Sequence, residues 1–380
     1  MIADDYDTVR VAQAGPSAPS KDFVVQYGGI WQRGATDPLY GLVVTRRGSM
    51  FTGLNRTVSA RGLAKIVTAM GPVPAGARVT PGAAWTVPGW EGDINVPELA
   101  GVARKAPYGS AVNYVSAEGG LRWKLATTVG TDSLVGYWEG EFHRYQPGRT
   151  YREKNFDTAV FGPSLPESYG GQYVGSDYAL CVPLFSDGAG HTGYLAPSQA
   201  AYRTRFTMGD TVLLDEKQDL CNTLEGGSGL SNRTARYRLS MDATRKAAVY
   251  RVGTRVSMVW DFTLRPSPDD FADMPLSVVR FTPKLGLDST AEAGTRITVP
   301  LVVQGAAAAP GALKSLAVKV SYDGGRTWKS TAVHGAAGGK RSVTLTQPKT
   351  PGSVSFRATA VDNRGNSVTQ TLINAYRTVS

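Results

Sequence analysis

Between residues 315 and 376 the chain alternates apolar and polar side chains with hardly a break. The run SLAVKVSY at 315–322 is followed by the turn Asp323-Gly324-Gly325 and by Trp328, and alternation resumes at 342–346, 354–361 and 368–376. A period of two puts every second side chain on one face. That is the pattern of half-buried antiparallel strands, and it conflicts with the roughly 3.6-residue period of a helix. This end of the chain is expected to be a small β-sandwich.

Upstream the signal continues. Strand candidates lie at 111–117, 121–127, 134–142, 158–161, 179–184, 200–208, 211–215, 234–241, 247–250, 255–263, 276–281 and 296–303. Turn residues separate them at near-even spacing, the signature of a sandwich or barrel, and no fixed-period repeat points to a propeller or solenoid. Residues 23–25 and 39–45 are further short candidates. Residues 59–70 (SARGLAKIVTAM) predict a minor helix near the N-terminus. Ser59 can cap it, Leu63, Ile66, Val67 and Met70 share a face, and Gly71-Pro72 stops it. Residues 71–110 are rich in Pro, Gly and Trp without periodicity. The expected fold is mainly β, built of antiparallel β-sandwich domains. Its parts are a disordered or linking stretch 1–22, a mixed, irregular segment 23–110 with one helix, a β-sandwich 111–285, and a C-terminal sandwich 286–380 of immunoglobulin or fibronectin type.

Composition agrees with that reading. Charged residues make up only 19%, while Gly (44) and Pro (22) are abundant, which suits short strands and tight turns. No apolar run approaches the roughly 18 residues of a membrane helix, so no membrane span is expected. A formal charge of +10 raises nucleic acid as a partner. The basic residues are scattered singly or in pairs such as Arg46-Arg47, and the densest stretch, 233–255, reads as alternating strands. Without a clustered stripe or stacking motif, no nucleic-acid partner is expected. The N-terminus has no basic region followed by an apolar core, so no signal peptide is read there. An exported chain would then be a fragment of a longer precursor or an incomplete gene product. Cys181 and Cys221 fit one intramolecular disulfide in an oxidising compartment, with two buried free thiols as the alternative.

Several motifs carry a chemical reading beside a structural one. Ser321 to Trp328 fits S-x-D-x-G-x-T-W, the Asp-box that recurs in sialidase-like propellers and occurs once here. Its mechanics are those of a hairpin staple, with Asp323 accepting turn amides, Gly325 supplying positive φ and Trp328 packing beneath. Gly226-Gly227-Ser228-Gly229 approaches a nucleophile elbow, but Leu230 stands where G-x-S-x-G needs its second glycine. His143, His191 and His334 lie far apart, and neither H-E-x-x-H nor C-x-x-C occurs. No cofactor is expected. The turn Ser186-Asp187-Gly188-Ala189-Gly190-His191 admits calcium but lacks a ladder of alternating Asp ligands. Paired carboxylates occur at Glu139/Glu141 and at Asp269-Asp270, and Glu139 and Glu141, which would share a strand face, read as a glycosidase pair or as a solvated face. Seven tryptophans, Trp85 and Trp90 foremost, would serve a sugar platform or be buried between strands.

Taken in order, a series of short blocks resembles the C-terminal, non-catalytic region of large secreted bacterial subtilisin-like serine proteases, the subtilase family. The blocks are Pro38-Leu39-Tyr40 with Arg47-Gly48 and Phe51-Thr52-Gly53, 113–118 with Arg122-Trp123, 145–152, 159–163, 182–190, 234–239, 275–281, 320–328 and 356–376. In that family the catalytic Asp, His and Ser lie upstream in motifs D-[ST]-G, H-G-T-H and G-T-S-M-A. All three motifs are missing here, so no catalytic residue is carried over, and any serine endopeptidase activity would belong to an upstream domain. The resemblance implies an extracellular accessory region that stabilises, secretes or targets a protease. Its partners would be the protease domain or a protein substrate. A carbohydrate- or cell-wall-binding module is the alternative.

Overall fold

Alternation along the sequence becomes strand at nearly every place it occurs. The structure, a computed structural model, describes residues 8–13, 23–47, 58–71, 73, 76–87, 99–105, 109–156, 159–166, 169–223, 226–246 and 250–380. The chain is mainly β and antiparallel. It divides into two units, one ending at Phe156 and one running from Asp157 to Ser380, with 72–74 belonging to the second.

In the first unit one sheet runs in the order Thr8–Gln13, Phe23–Trp31, Leu39–Arg47, Ser110–Ser116, Leu63–Met70, Thr150–Phe156. Another holds Leu134–Glu139, Arg122–Gly130, Arg78–Thr86 and Leu99–Ala100 as successive neighbours. Leu39, Val43, Ala64, Ile66 and Val115 of the first sheet are buried, as are Val79, Trp85, Trp123, Leu125 and Trp138 of the second. The layers meet at Gly41, where any side chain would collide with the Trp123 ring. Trp123 Nε1 donates to the Ser116 carbonyl at 2.7 Å, so its one polar atom is satisfied in the core.

Three expectations are corrected in this unit. Residues 59–70 are not a helix: Ala60–Gly62 makes a single 3-10 turn, and Leu63–Met70 is a strand between Ser110–Ser116 and Thr150–Phe156. LAKIVTAM is apolar at enough positions to satisfy either period. Burial of Ala64, Ile66, Thr68 and Met70 shows that the period of two wins, helped by the β-branched Ile66, Val67 and Thr68. Segment 71–110 contains the strand Arg78–Thr86, hidden because Pro81-Gly82 interrupts its alternation and because Gly82 to Thr86 are buried on both faces. The stretch 1–22 is not wholly a linker, since Thr8–Gln13 pairs with Phe23–Trp31.

The second unit is organised around a long sheet. Its order is Thr211–Glu216, Ala200–Met208, Ala235–Arg245, Arg255–Leu264, Ser367–Val379, Gly352–Asp362, Leu313–Ser321, Lys329–Thr331. A sheet of Ser277–Phe281, Arg296–Gly305, Arg341–Thr346 and Val333–Gly335 covers its C-terminal half. Phe281 stacks on Phe356 with ring centres 4.3 Å apart, and the buried Gln370 amide bonds the backbone of Val279 in both directions. This two-layer arrangement is an immunoglobulin-like sandwich. Over the other half lies a small sheet of Gly226–Gly227, Asp177–Cys181, Gly170–Val174 and Ala272–Asp273, anchored where Tyr178 meets Phe206 edge to face.

The boundaries expected at 110/111 and 285/286 are also corrected. Ser110–Ser116 lies inside the first sheet, between Leu39–Arg47 and Leu63–Met70. Arg255–Leu264 and Ser367–Val379 are adjacent strands, so residues on both sides of 285 share one sheet. Periodicity marks strands without naming partners a hundred residues away. Of the remaining strand candidates, 159–161 is irregular apart from a bridge between Gly162 and Ser186, and 247–249 lie outside the described residues.

Candidate functional site

The Asp-box turn joins Leu313–Ser321 to Lys329–Thr331. Asp323 Oδ1 accepts the Ser321 hydroxyl at 2.7 Å and the Thr327 amide at 2.9 Å, while Oδ2 accepts the Thr327 hydroxyl at 2.6 Å. These donors hold the exposed carboxyl well below the usual range. Gly325 has φ 88°, and a side chain there would strike Ile373. The Trp328 indole donates to the Gly325 carbonyl at 3.0 Å and is half-buried, with the Arg357 guanidinium 4.4 Å above its ring. The turn's polar groups face one another.

Cys181 and Cys221 form a disulfide, with their Cα atoms 4.5 Å apart. It ties the short helix Leu220–Thr223 to the strand Asp177–Cys181. Asp219 precedes that helix, accepts the Cys221 amide at 3.1 Å and is buried, which raises its carboxyl to about 6.

The turn 186–191 contains the three residue types of a serine hydrolase. Asp187 Oδ2 lies 2.8 Å from His191 Nδ1, and both residues are buried. The other carboxylate oxygen accepts the amides of Ala189, Gly190 and His191 at 3.0, 2.9 and 2.9 Å, closing the loop on itself. Arg280, buried and lowered by desolvation, donates to the carbonyls of Asp187 and Pro163. A triad needs its serine hydroxyl bonded to the histidine. Ser186 Oγ is buried and has no hydrogen-bond partner among the described residues. The Asp187 oxygens that would ligate calcium already hold protein donors, and no cluster of three or more His, Cys, Asp or Glu is found among the described residues.

The remaining sequence candidates separate. Ser228 is exposed beyond Gly226–Gly227. His143 bridges Trp123 through the backbone, and His334 is exposed on Val333–Gly335. Glu139 bonds Lys124 at 2.5 Å and Tyr137 at 2.9 Å, whereas Glu141 lies past the strand's end, so they do not share a strand face. Asp269 and Asp270 are exposed. Trp85 is 1% exposed and presents no platform, and Trp90 lies outside the described residues. Of the densest basic stretch, Arg236, Arg238 and Arg255 stand on the open face of the long sheet, where Arg238 pairs Asp261 and Arg255 pairs Asp242, whereas Arg245 is buried against the rings of Phe161, Phe185 and Tyr250.

Two surfaces had no sequence signal beyond scattered residues. In the first unit Trp31, Tyr40, Tyr114 and Lys65 occupy one cross-strand row. Trp31 and Tyr40 ring centres are 5.4 Å apart, Tyr40 and Tyr114 are stacked at 5.1 Å, and Trp31 at the row's end is 38% exposed. In the second unit a groove of about 550 Å³ crosses the outer face of the small sheet. Its floor is Gly170, Gly171 and Ala179, and its walls include Leu165, Met274 and Leu276. Side chains added at Gly171 or Gly305 would run into Met274 or the Leu276 carbonyl, so both glycines serve close packing of the chain beneath the groove. Gln172, bonded to Asp273 at 3.1 Å, and the exposed Arg364 supply its polar lining.

No family model matches the chain, and no curated protein matches it. Among solved structures, the FN1–FN3 domains of chicken CNTN1 are similar at 9% identity, covering 96% of this chain and 97% of that one, with a TM-score of 0.17. FdeC, an Escherichia coli adhesin, is similar at 12% identity, covering 86% and 100%, with a TM-score of 0.19. Superpositions that loose carry no argument, and the fold assignment rests on the strand pairing above. No helix among the described residues is long and apolar enough to cross a membrane.

Proposed function

We propose that this chain is a non-catalytic accessory region of a secreted subtilisin-like serine protease, one that stabilises, delivers or targets the protease. The observation that carries the reading is the turn 186–191. Its Asp187–His191 pair closes a loop instead of activating a nucleophile, and Ser186 beside it makes no bond to the imidazole. The Cys181–Cys221 bridge supports an oxidising, extracellular setting. The family-like blocks at 275–281, 320–328 and 356–376 supply strands of the immunoglobulin-like sandwich. The test is incubation of the purified chain with casein and a fluorophosphonate, and then addition of the chain to a subtilisin-like catalytic domain. We expect no labelling and a longer half-life or altered substrate preference of the protease. Covalent labelling lost on changing one serine would overturn the reading.

A second reading, a polysaccharide-binding module, is favoured by the row ending in Trp31, whose exposed ring could stack on a sugar. Pull-down on insoluble polysaccharides and peptidoglycan tests it. Retention that survives moderate salt and disappears in Trp31→Ala supports it, and salt-sensitive retention is the nonspecific attraction of a +10 chain for acidic polymers.

A further inference from the structure

We infer that the open face of the long sheet in the second unit binds a linear acidic polysaccharide, one that carries sulfate or carboxylate groups along its length. The inference depends neither on an attached protease nor on Trp31. Charge is the first argument. Arg203 and Arg205 on Ala200–Met208, Arg236 and Arg238 on Ala235–Arg245, and Arg255 beside them all stand on exposed positions of that face. Three carboxylates share it, Asp215, Asp242 and Asp261, each paired with one or two of these arginines. Further along the sheet Arg357 and Lys319 have no carboxylate partner among the described residues. Asp210 and Lys217 at the ends of the edge strand Thr211–Glu216 offset each other, as do Asp323 and Arg326 in the turn beside Trp328. Seven cations against three carboxylates leave four positive charges in excess on one side of one sheet.

Register is the second argument. Lys319 stands directly opposite Arg357, and like charges so placed destabilise a sheet. Arg357 is held there, because its Nε donates to Thr371 Oγ1 at 3.1 Å and its guanidinium lies 4.4 Å from the centre of the Trp328 ring. A sulfate or carboxylate between the two cations relieves that repulsion. The floor selects the rest of the partner. One cross-strand row runs Arg203, Asp242, Ser257, Thr371, Arg357, Lys319. Its five steps of about 4.8 Å make it roughly 24 Å long. The row is cationic at both ends and bears hydroxyls between, and the next row adds Ser240, Thr369 and Thr359. A hollow of about 230 Å³ on the same face, between Arg205 and Arg238, is lined by Thr207, Ser240, Gly209 and Asp210 and has no apolar wall for the side chains of a peptide. Among the described residues the outward positions of these strands carry no aromatic ring on which bases could stack. An extended sugar chain with repeating charges meets both the cations and the hydroxyls, and the Cys181–Cys221 bridge suits the oxidising setting in which such polymers occur.

Fluorescence anisotropy with a fluorescein-labelled heparin hexasaccharide tests the inference at physiological ionic strength, where charges more than about 8 Å apart are screened. Saturable binding is expected. Unlabelled heparin and polygalacturonate as competitors separate sulfate from carboxylate as the recognised group, and neutral dextran should not compete. Arg236→Glu with Lys319→Glu should weaken binding at least tenfold. The melting temperature should stay at or above the wild-type value, since Lys319→Glu turns a like-charge pair with Arg357 into an opposite-charge one. Lys105→Glu with Lys340→Glu removes the same net charge from exposed positions of the first unit and of the turn before Arg341–Thr346, and should leave affinity within twofold. Equal loss in the two double variants would make binding a property of the overall charge and overturn the proposal. So would binding that is absent up to millimolar hexasaccharide, or displacement of the probe by dextran. Displacement by duplex DNA at lower concentration than by heparin would overturn it too, and would assign the face to nucleic acid.

Discussion

Burial at Asp219 couples the fold to pH. Its carboxyl titrates near 6 when folded and near 3.8 when unfolded, so the folded state holds the proton more tightly. The stabilisation is complete below the unfolded value and is lost as pH rises through about 6, a cost on the order of 2–3 kcal/mol at neutral pH. Asp219→Asn keeps an acceptor for the Cys221 amide and removes the charge. Thermal melts should therefore show it stabilised at pH 7.5 and little changed at pH 4. An equal shift at both values would mean that burial is not the cause. Trp328 gives a second residue-scale expectation. Because its ring is half-buried under Arg357, Trp328→Ala should cost about 1–3 kcal/mol in urea melts, less than a fully buried tryptophan would. Asp323→Ala should lower the melting temperature by loosening the turn, and the loss should be smaller in acid, where the wild-type carboxylate is itself being protonated.

At the scale of elements, the disulfide closes a loop of 40 residues. In the chain-entropy model that contributes about 4 kcal/mol, so the double variant Cys181→Ala, Cys221→Ala should lose most of that in denaturant melts. It should do so without disturbing the first unit, to which neither cysteine belongs. The strands that the sequence announced best are those with one wet face, such as Ala200–Met208 and Arg255–Leu264, where burial alternates nearly residue by residue. Legibility failed where both faces are covered or where apolar residues are too frequent to keep a period. Arg78–Thr86 is the first case and Leu63–Met70 the second. In the candidate sites, the Asp323 turn was readable because each bond spans at most a few residues. The groove was not, since Gly171, Met274 and Gly305 become neighbours only through pairing over long separations.

At the scale of the whole molecule, the division at Phe156/Asp157 and the sharing of one sheet across residue 285 make opposite predictions for two cuts. A fragment 157–380 should give a cooperative urea transition. A fragment 286–380 lacks both Ser277–Phe281 and Arg255–Leu264, exposes Phe356 and the edge of Ser367–Val379, and should aggregate or fail to melt cooperatively. A sharp, reversible transition from the shorter fragment would show that its own sandwich suffices. The placement of Ser367–Val379 between Arg255–Leu264 and Gly352–Asp362 also sets a schedule. The strand that joins the two halves of the long sheet is synthesised after all the strands it joins. Until it arrives, Arg255–Leu264 and Gly352–Asp362 each present an open edge where it will pair. A sheet whose joining strand comes after the strands it joins stays in two pieces for as long as that strand is missing.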